Sequence, residues 1–284
     1  MKTTVLGMGR MGRALASRLL GSGHEVTVWN RSPGRSGDLL AQGASERDTV
    51  EEAAHGADVT FAVLSDDEAS MQVLAPEGKP VVSGGESVVV NVATTSPATA
   101  RRLGEIYGGS FVAAPVLGSP DALASGKASL IVAGPDEAVR RLDGLLEQVS
   151  SSVRKAGSDP GRALIMKLIS NYWLLAGIVT LSEGVAMGEA AGFSEEELID
   201  LATQLPTVAP ALHNRVADVV SGDHTGWFSS VLGAKDVDLF DAAAAAGGVD
   251  TPLARAVRDR YEAAVSAGIG DRDIGAVIEL LRRR

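Results

Sequence analysis

Cysteine is absent from the 284 residues of this chain. Disulfides, thiolate zinc sites and cysteine nucleophiles are therefore excluded, and a reducing compartment is the natural setting. Positive charge is scarce: 26 Lys and Arg stand against 36 Asp and Glu, a net charge of −10. Such a surface repels phosphate, so neither nucleic acid nor an anionic membrane is an expected partner. The four histidines, His24, His55, His213 and His224, show no metal-ligand spacing, so no metal is expected. No G-x-S-x-G nucleophile elbow occurs. Long uninterrupted apolar runs are missing as well. The opening Met1-Lys2-Thr3-Thr4-Val5-Leu6-Gly7 is too short for a signal-peptide core. The most apolar stretch, residues 164–185, is broken by Lys167, Asn171 and Glu183 and reads as a buried helix rather than a membrane span. What remains is a cytoplasmic globular protein, and at roughly 150 residues per domain its length suggests two domains.

The two halves of the chain differ in texture. Residues 3–6, 25–29, 59–64, 87–92, 110–113 and 128–132 are short apolar runs bounded by Gly, Pro, Asp or Ser, which predicts strands. Between them, 12–20, 49–54, 97–106 and 137–149 carry apolar residues at helical spacing. Strand–helix alternation implies crossover connections and a mainly parallel sheet covered on both faces. Beyond Gly157 the patterns are helical only: 161–191, 194–205, 253–267 and 272–281, with the alanine run 242–246 also reading as helix. The breakers Ser150 to Ser152, Gly157, Pro160 and Gly161 put the boundary between them, giving domains 1–158 and 159–284. The predicted fold class is α/β: a Rossmann-type N-terminal sheet and an all-α C-terminal domain, joined by a helix of about 30 residues or ~45 Å. Apolar around most of its girth, that spine helix needs more cover than one small helical domain supplies, which predicts a homodimer.

Gly7, Gly9 and Gly12 follow the first strand in G-x-G-x-x-G spacing and lead into a helix. The first glycine allows the tight turn, the second lets backbone approach a pyrophosphate, and the third lets helix and strand pack closely. The helix N-terminus adds N–H groups and a positive dipole end for the phosphates. After the second strand, where an NAD site carries an acid for the ribose hydroxyls, stands Asn30-Arg31-Ser32. Asn30 removes a charge that would repel a 2′-phosphate, while Arg31 and Ser32 suit one, which favours NADP over a plain polar turn.

Lys167 lies amid Ala163, Leu164, Ile165, Met166, Leu168 and Ile169, so it either snorkels to solvent or is held in a cleft. Asn171, one helical turn on, shares its face. The acidic run Ser65-Asp66-Asp67-Glu68 reads as a solvated loop after a strand. Trp227 and Phe228 either line a substrate cavity or pack in the core.

Together, Gly7 to Gly12, His24 and Asn30-Arg31-Ser32 resemble the opening of the β-hydroxyacid dehydrogenase family, which includes 3-hydroxyisobutyrate dehydrogenases and semialdehyde reductases and is related to 6-phosphogluconate dehydrogenase. The resemblance continues through Ala93-Thr94-Thr95-Ser96-Pro97, Ala114-Pro115-Val116, Lys167 with Asn171, Lys235-Asp236 and Gly270-Asp271-Arg272-Asp273. It implies an NADP-dependent oxidoreductase acting on a small β-hydroxy acid or semialdehyde, with Lys167 moving the proton and Asn171 beside it. The implied cofactor residues are Gly7, Met8, Gly9, Arg10, Met11, Gly12, Asn30, Arg31, Ser32, Leu64, Ser65, Thr94 and Lys235. The implied substrate residues are Val116, Leu117, Gly118, Lys167, Asn171 and Trp227. Lys235 either closes over the cofactor or is a solvated helix-end lysine. Two departures resemble imine reductases instead. Leu117 replaces a carboxylate-gripping serine, and Asp159-Pro160-Gly161 precedes the catalytic helix, although imine reductases usually carry Asp or Tyr where Lys167 stands. Leu117 either lines the substrate pocket with apolar surface or points into the core. An imine is therefore the alternative substrate, and a non-catalytic cofactor-binding protein the third reading.

Overall fold

The computed structural model describes residues 1–82 and 87–282. These form two compact units, Met1–Lys167 and Leu168–Arg284.

In the first unit six strands make one parallel sheet: β1 (Lys2–Leu6), β2 (Glu25–Trp29), β3 (Ser45–Glu46), β4 (Val59–Ala62), β5 (Val88–Asn91) and β6 (Phe111–Ala113). Their order is β3-β2-β1-β4-β5-β6, so the winding reverses between β1 and β4. Both β4 and β5 are buried along their whole length, which is why their residues are nearly all apolar. Successive side chains leave opposite faces of a strand. Val5, Val28, Phe61, Val88 and Val90 enter one core, while Leu6, Ala62 and Val89 enter the other. Helices α1 (Arg10–Gly21), α2 (Gly37–Ala41), α3 (Val50–Ala54), α4 (Asp67–Leu74), α5 (Pro97–Tyr107), α6 (Pro120–Ala124) and α7 (Asp136–Val149) connect these strands or follow them. Leu15 and Leu19 of α1 and Leu142, Leu145 and Leu146 of α7 cover the first face; Ala53, Leu74, Ala100 and Leu103 of α3, α4 and α5 cover the second. Each buried leucine contributes about 1.5–3 kcal/mol. A smaller sheet of β7 (Val116–Leu117), β8 (Ser129–Val132) and β9 (Ser152–Lys155) completes the unit, with β7 antiparallel to β8 and β9 parallel to it.

The structure differs from the sequence expectation in several places. Helices α2 and α6, for instance, were not expected, nor were those over His213–Ser221 and most of Ser230–Ala246. The strand expected over 59–64 stops at Ala62, which leaves Leu64 in the following loop. Of the run read as a solvated loop, Ser65 stays in the loop while Asp67 and Glu68 open α4: Asp66 accepts from Ala69 N at 2.8 Å and caps the helix. Strands β3, β7 and β9 were not expected, because two are only two residues long and β9 is a mostly exposed Ser-Val-Arg-Lys segment without apolar alternation. The helix expected over 272–281 is a 3-10 segment, Ile274–Ile278, followed by the single turn α13 (Glu279–Arg282). All five residues of the 3-10 segment are buried, so packing on every side, rather than amphipathic spacing, sets its path.

The second unit is helical: most of α8 (Pro160–Ala190), then α9 (Glu195–Gln204), α10 (His213–Ser221), α11 (Ser230–Ala246), α12 (Pro252–Ser266) and α13. Leu175, Ile178 and Val179 of α8 pack with Val237 of α11, with Val257 and Tyr261 of α12, and with Ile274 and Val277. Tyr261 is fully buried; its hydroxyl donates to Leu175 O at 3.0 Å, and burial pushes the phenol well above its ordinary range. By length and composition α8 could cross a bilayer. Its Leu164, Leu168, Leu175, Ile178 and Val185 are instead buried within the protein.

The start of α8 is fastened by charge. Pro160 occupies the first helical position, where its missing N–H costs nothing. Asp159 accepts from Gly161 N at 2.9 Å and from Arg101 Nε and Nη2 at 3.1 and 2.9 Å. The Arg101 hydrogen bond holds the Asp159 carboxyl below its ordinary value of 3.8. A depressed carboxyl contributes stability above its unfolded pKa and loses it as pH falls through the folded one. Asp159→Ala should therefore lower stability by about 1 kcal/mol at neutral pH, the pair being partly exposed. The gap between parent and variant urea midpoints should narrow below pH 3.8. A gap independent of pH would mean that the charge contributes nothing.

Candidate functional site

The nucleotide half is built where β1 gives way to α1. Gly7 has φ +101°, and a Cβ there would lie 2.3 Å from Val63 O. A Cβ on Gly12 would lie 1.8 Å from Gly7 O. No side chain fits at either position, so the helix start is pressed against the strand end. Gly9 is different. Its φ of −71° is open to any residue, and a Cβ there would meet nothing within 4 Å. That open backbone, at the N-cap of a helix with no acid in its first turn, fits a dinucleotide pyrophosphate. Met8 is buried and offers only its main chain to a ligand; Met11 is half-buried against the same core, and Arg10 is exposed.

Asn30 ties this turn to the end of β2. Its Oδ1 accepts from Met8 N at 2.9 Å and its Nδ2 donates to Ser32 O at 2.8 Å. An aspartate could make the first bond but not the second. The asparagine thus shapes the loop as well as removing a charge. Arg13 of α1 donates to Arg35 O and to Asp38, holding the far side of that loop. Arg31 and Ser32 are exposed on it.

The loops after β4 and β5 are pinned to one another. Ser65 Oγ donates to Asp66 Oδ2 at 2.6 Å, and Asp67 Oδ1 accepts from Ser96 N at 2.7 Å. Below them the buried Asn91 donates to Thr95 Oγ1 and accepts from Ala93 N, both at 3.3 Å. Thr94 is held half-buried between these anchors, and Leu64 leans on the second core. The turn after β1 and these loops all follow the carboxyl ends of strands around the reversal, the usual place for a ligand in such a sheet. Asp67 and Asn91 escaped the sequence reading. A capping Asp a few residues after the end of β4 was the available signal for the acidic run.

Among the substrate candidates of the first unit, Val116 is a core residue. Leu117 packs, half-buried, against the second core, while the exposed Gly118 has φ +146°. Lys167 is half-buried on α8, and Asn171 is buried one turn later. Asn171 Nδ2 donates to Asp236 Oδ2 of α11 at 2.6 Å. The other oxygen of Asp236 lies 3.1 Å from Lys235 Nζ. Asp236, seen in the sequence only as half of a Lys-Asp pair, is therefore the hub of this cluster. Trp227 is half-buried, with the Arg215 guanidinium 5.0 Å above its ring and Phe228 stacked at 5.7 Å. Arg215 in turn pairs with buried Asp273 at 2.9 Å.

Known proteins match the whole length of the chain. Residues 2–157 match the NAD-binding domain of 6-phosphogluconate dehydrogenase. Residues 161–281 match the NAD-binding region of NADP-dependent 3-hydroxyisobutyrate dehydrogenase. The uncharacterised oxidoreductase YfjR of Bacillus subtilis is 30% identical over 99% of this chain and 100% of its own. The solved Mycobacterium tuberculosis 3-hydroxyisobutyrate dehydrogenase with L-serine superposes with a TM-score of 0.85 at 26% identity, covering 99% of both chains. An imine reductase from Streptomyces aurantiacus superposes with a TM-score of 0.67 at 28% identity, again over 99% of each chain.

The three glycines should separate by experiment. Gly9→Ala should leave thermal stability close to the parent while weakening dinucleotide binding about tenfold or more. Gly12→Ala should destabilise the fold itself, since its Cβ has no room. Calorimetric titration together with thermal melts checks both. Unchanged cofactor affinity in Gly9→Ala would remove that glycine from the binding surface.

Proposed function

The chain belongs to the β-hydroxyacid dehydrogenase family of NAD(P)-dependent dehydrogenases and reductases, and from that premise we propose that it reduces a small aldehyde or keto acid with NADPH, Lys167 supplying the proton. The observation that carries this reading is a half-buried lysine in an apolar helix, one turn from an asparagine that a buried carboxylate holds in place. When bound, the dinucleotide supplies the hydride, or accepts it in the reverse direction. Lys167 as ammonium donates to the carbonyl oxygen and stabilises the charge gathering there; in oxidation it takes the proton back. NADPH is favoured because Asn30 leaves no acid to repel a 2′-phosphate and exposes Arg31 and Ser32 on the same loop. The tuberculosis relative solved with L-serine, a β-hydroxy acid, supports the substrate class.

A second reading, NADPH-dependent imine reduction, is favoured by one feature. Leu117 offers no hydroxyl to a substrate carboxylate, and stranding a carboxylate oxygen against leucine costs on the order of a few kcal/mol. The contact of Leu117 with the core limits how much of it can face a substrate. The hydroxy-acid reading therefore stands first.

We also read the protein as a cytoplasmic homodimer. Trp173 and Met187 of α8 are 71% and 72% exposed, an unusual state for large apolar side chains on so apolar a helix. A second copy would cover them.

Consumption of NADPH and NADH, measured against semialdehydes, keto acids and cyclic imines, tests the proposal. The parent should turn over the first two classes with NADPH. Lys167→Ala should lose about 10²–10⁴-fold in turnover with little change in cofactor affinity. Arg31→Ala should surrender most of the NADPH preference, about 1.5–3 kcal/mol. Turnover of imines alone moves the assignment to the second reading, and a Lys167→Ala enzyme as fast as the parent removes that lysine from the reaction. For the dimer, light scattering at micromolar concentration should give twice the chain mass; a monomer overturns it.

A further inference from the structure

Asn171 and Asp236 are both buried, at 6% and 4% exposure, and 2.6 Å separates the asparagine nitrogen from the carboxylate. An ionised carboxylate only accepts hydrogen bonds. Of the two ways round the Asn171 amide can sit, one sets its NH2 on Asp236 and turns its carbonyl oxygen away. The other sets oxygen against oxygen. Burial makes the second arrangement expensive, because two acceptors without a donor would face each other out of water. The carboxylate is itself held from the other side. Its Oδ1 has no hydrogen-bond donor in line with it, but the Lys235 ammonium approaches at 3.1 Å and acts as counter-ion to the buried charge.

We propose that Asp236 is a positioning residue that locks the Asn171 amide with its NH2 inward, so that Asn171 acts in the reaction as a hydrogen-bond acceptor. This deepens the proposed role of Lys167 and rests on it. Asn171 lies four residues after Lys167, on the same face of α8. An ammonium has three donors and no acceptor. In the proposed arrangement the amide oxygen one turn along the same helix serves as its acceptor, leaving the other N–H bonds of the ammonium for the substrate oxygen. A reversed amide would set NH2 towards the ammonium and carbonyl oxygen towards the carboxylate, a mismatch at both ends. Asp236 thereby acts through Asn171 on the orientation of the ammonium rather than on the substrate itself, with Lys235 3.1 Å from its other oxygen.

Two measurements on the whole chain test this, one of them independent of the substrate. In the cofactor-free protein, ¹⁵N-edited NMR should show the Asn171 side-chain NH2 protected from exchange, and Asp236→Leu should remove that protection. In steady-state kinetics Asp236→Leu should lower kcat about 100-fold, the usual cost of a misplaced catalytic group, while the KM for NADPH stays within about twofold. Asp236→Asn can still accept from Asn171 but no longer excludes the reversed amide. It should fall between parent and Asp236→Leu, and it supplies the comparison if the leucine variant does not fold. A merely structural role would lower the yield of folded protein and leave kcat per folded molecule unchanged, which overturns the proposal. An unprotected Asn171 amide in the parent overturns it as well. If the parent turns over no carbonyl compound, the proposed reaction fails, while the NMR result still decides the orientation of the amide.

Discussion

The nucleotide half of the molecule depends on one close approach, the start of α1 pressed against the end of β1 where Gly12 meets the carbonyl of Gly7. A Cβ on Gly12 would force the helix away from the strand, and one on Gly7 would strike Val63 O in the segment that follows β4. With both glycines in place, the helix N-terminus opens directly after β1, beside the reversal of strand order, and Gly9 is left with open space. The other loops of that edge then take their places by hydrogen bonds rather than by packing. Asn30 joins the glycine turn to β2, Asp67 joins the β4 loop to the β5 loop, and Asn91 braces the latter from below. The apolar sheet sets the heights of the strand ends; a few short polar side chains set the shapes of the loops above them.

The second unit handles polar groups differently. Its core is apolar around α8, and the charges inside it are paired with one another. Arg215 and Asp273 pair in the interior, and Asp273 also accepts from Phe228 N and Gly275 N at 3.2 and 3.3 Å. His224 meets Glu279 at 3.0 Å, and Arg282 ties Glu279 to Glu189. These contacts fasten the last segment of the chain to α8 and α10. The closing Gly270-Asp271-Arg272-Asp273 motif therefore serves structure, and Trp227, stacked on Arg215, belongs to the same assembly. The Asn171–Asp236–Lys235 set is built in the same manner from buried polar groups. What distinguishes it is its neighbour in sequence, a lysine one turn away on an apolar helix.

Much of this is legible in the amino-acid sequence. Local patterns carried it: short apolar runs bounded by breakers for β1, β2, β5 and β8, helical spacing for α1, α5, α7 and α8, and glycines at fixed offsets for the turn. These signals are local because they reflect the pleat, the helical pitch and backbone sterics, each set by residues close in sequence. The elements that escaped have weak local patterns or none. Strands β3 and β7 are two residues long and exist only because a neighbouring strand offers a ladder. The segment Ile274–Ile278 is buried on all sides and has no amphipathic face to read.

The sequence by itself determined the class of fold, the dinucleotide turn and the two residues on which the proposed chemistry rests, Lys167 and Asn171. Tertiary structure decided which groups hold them. Met8 and Val116 went to the core, and Met11 packs half-buried against it. Asp236, 65 residues from Asn171, became its partner. Spacing along a helix shows which face a polar side chain shares. Which charge meets it there depends on a second helix whose packing is set by apolar contacts, and those contacts say nothing in advance about the direction of an amide.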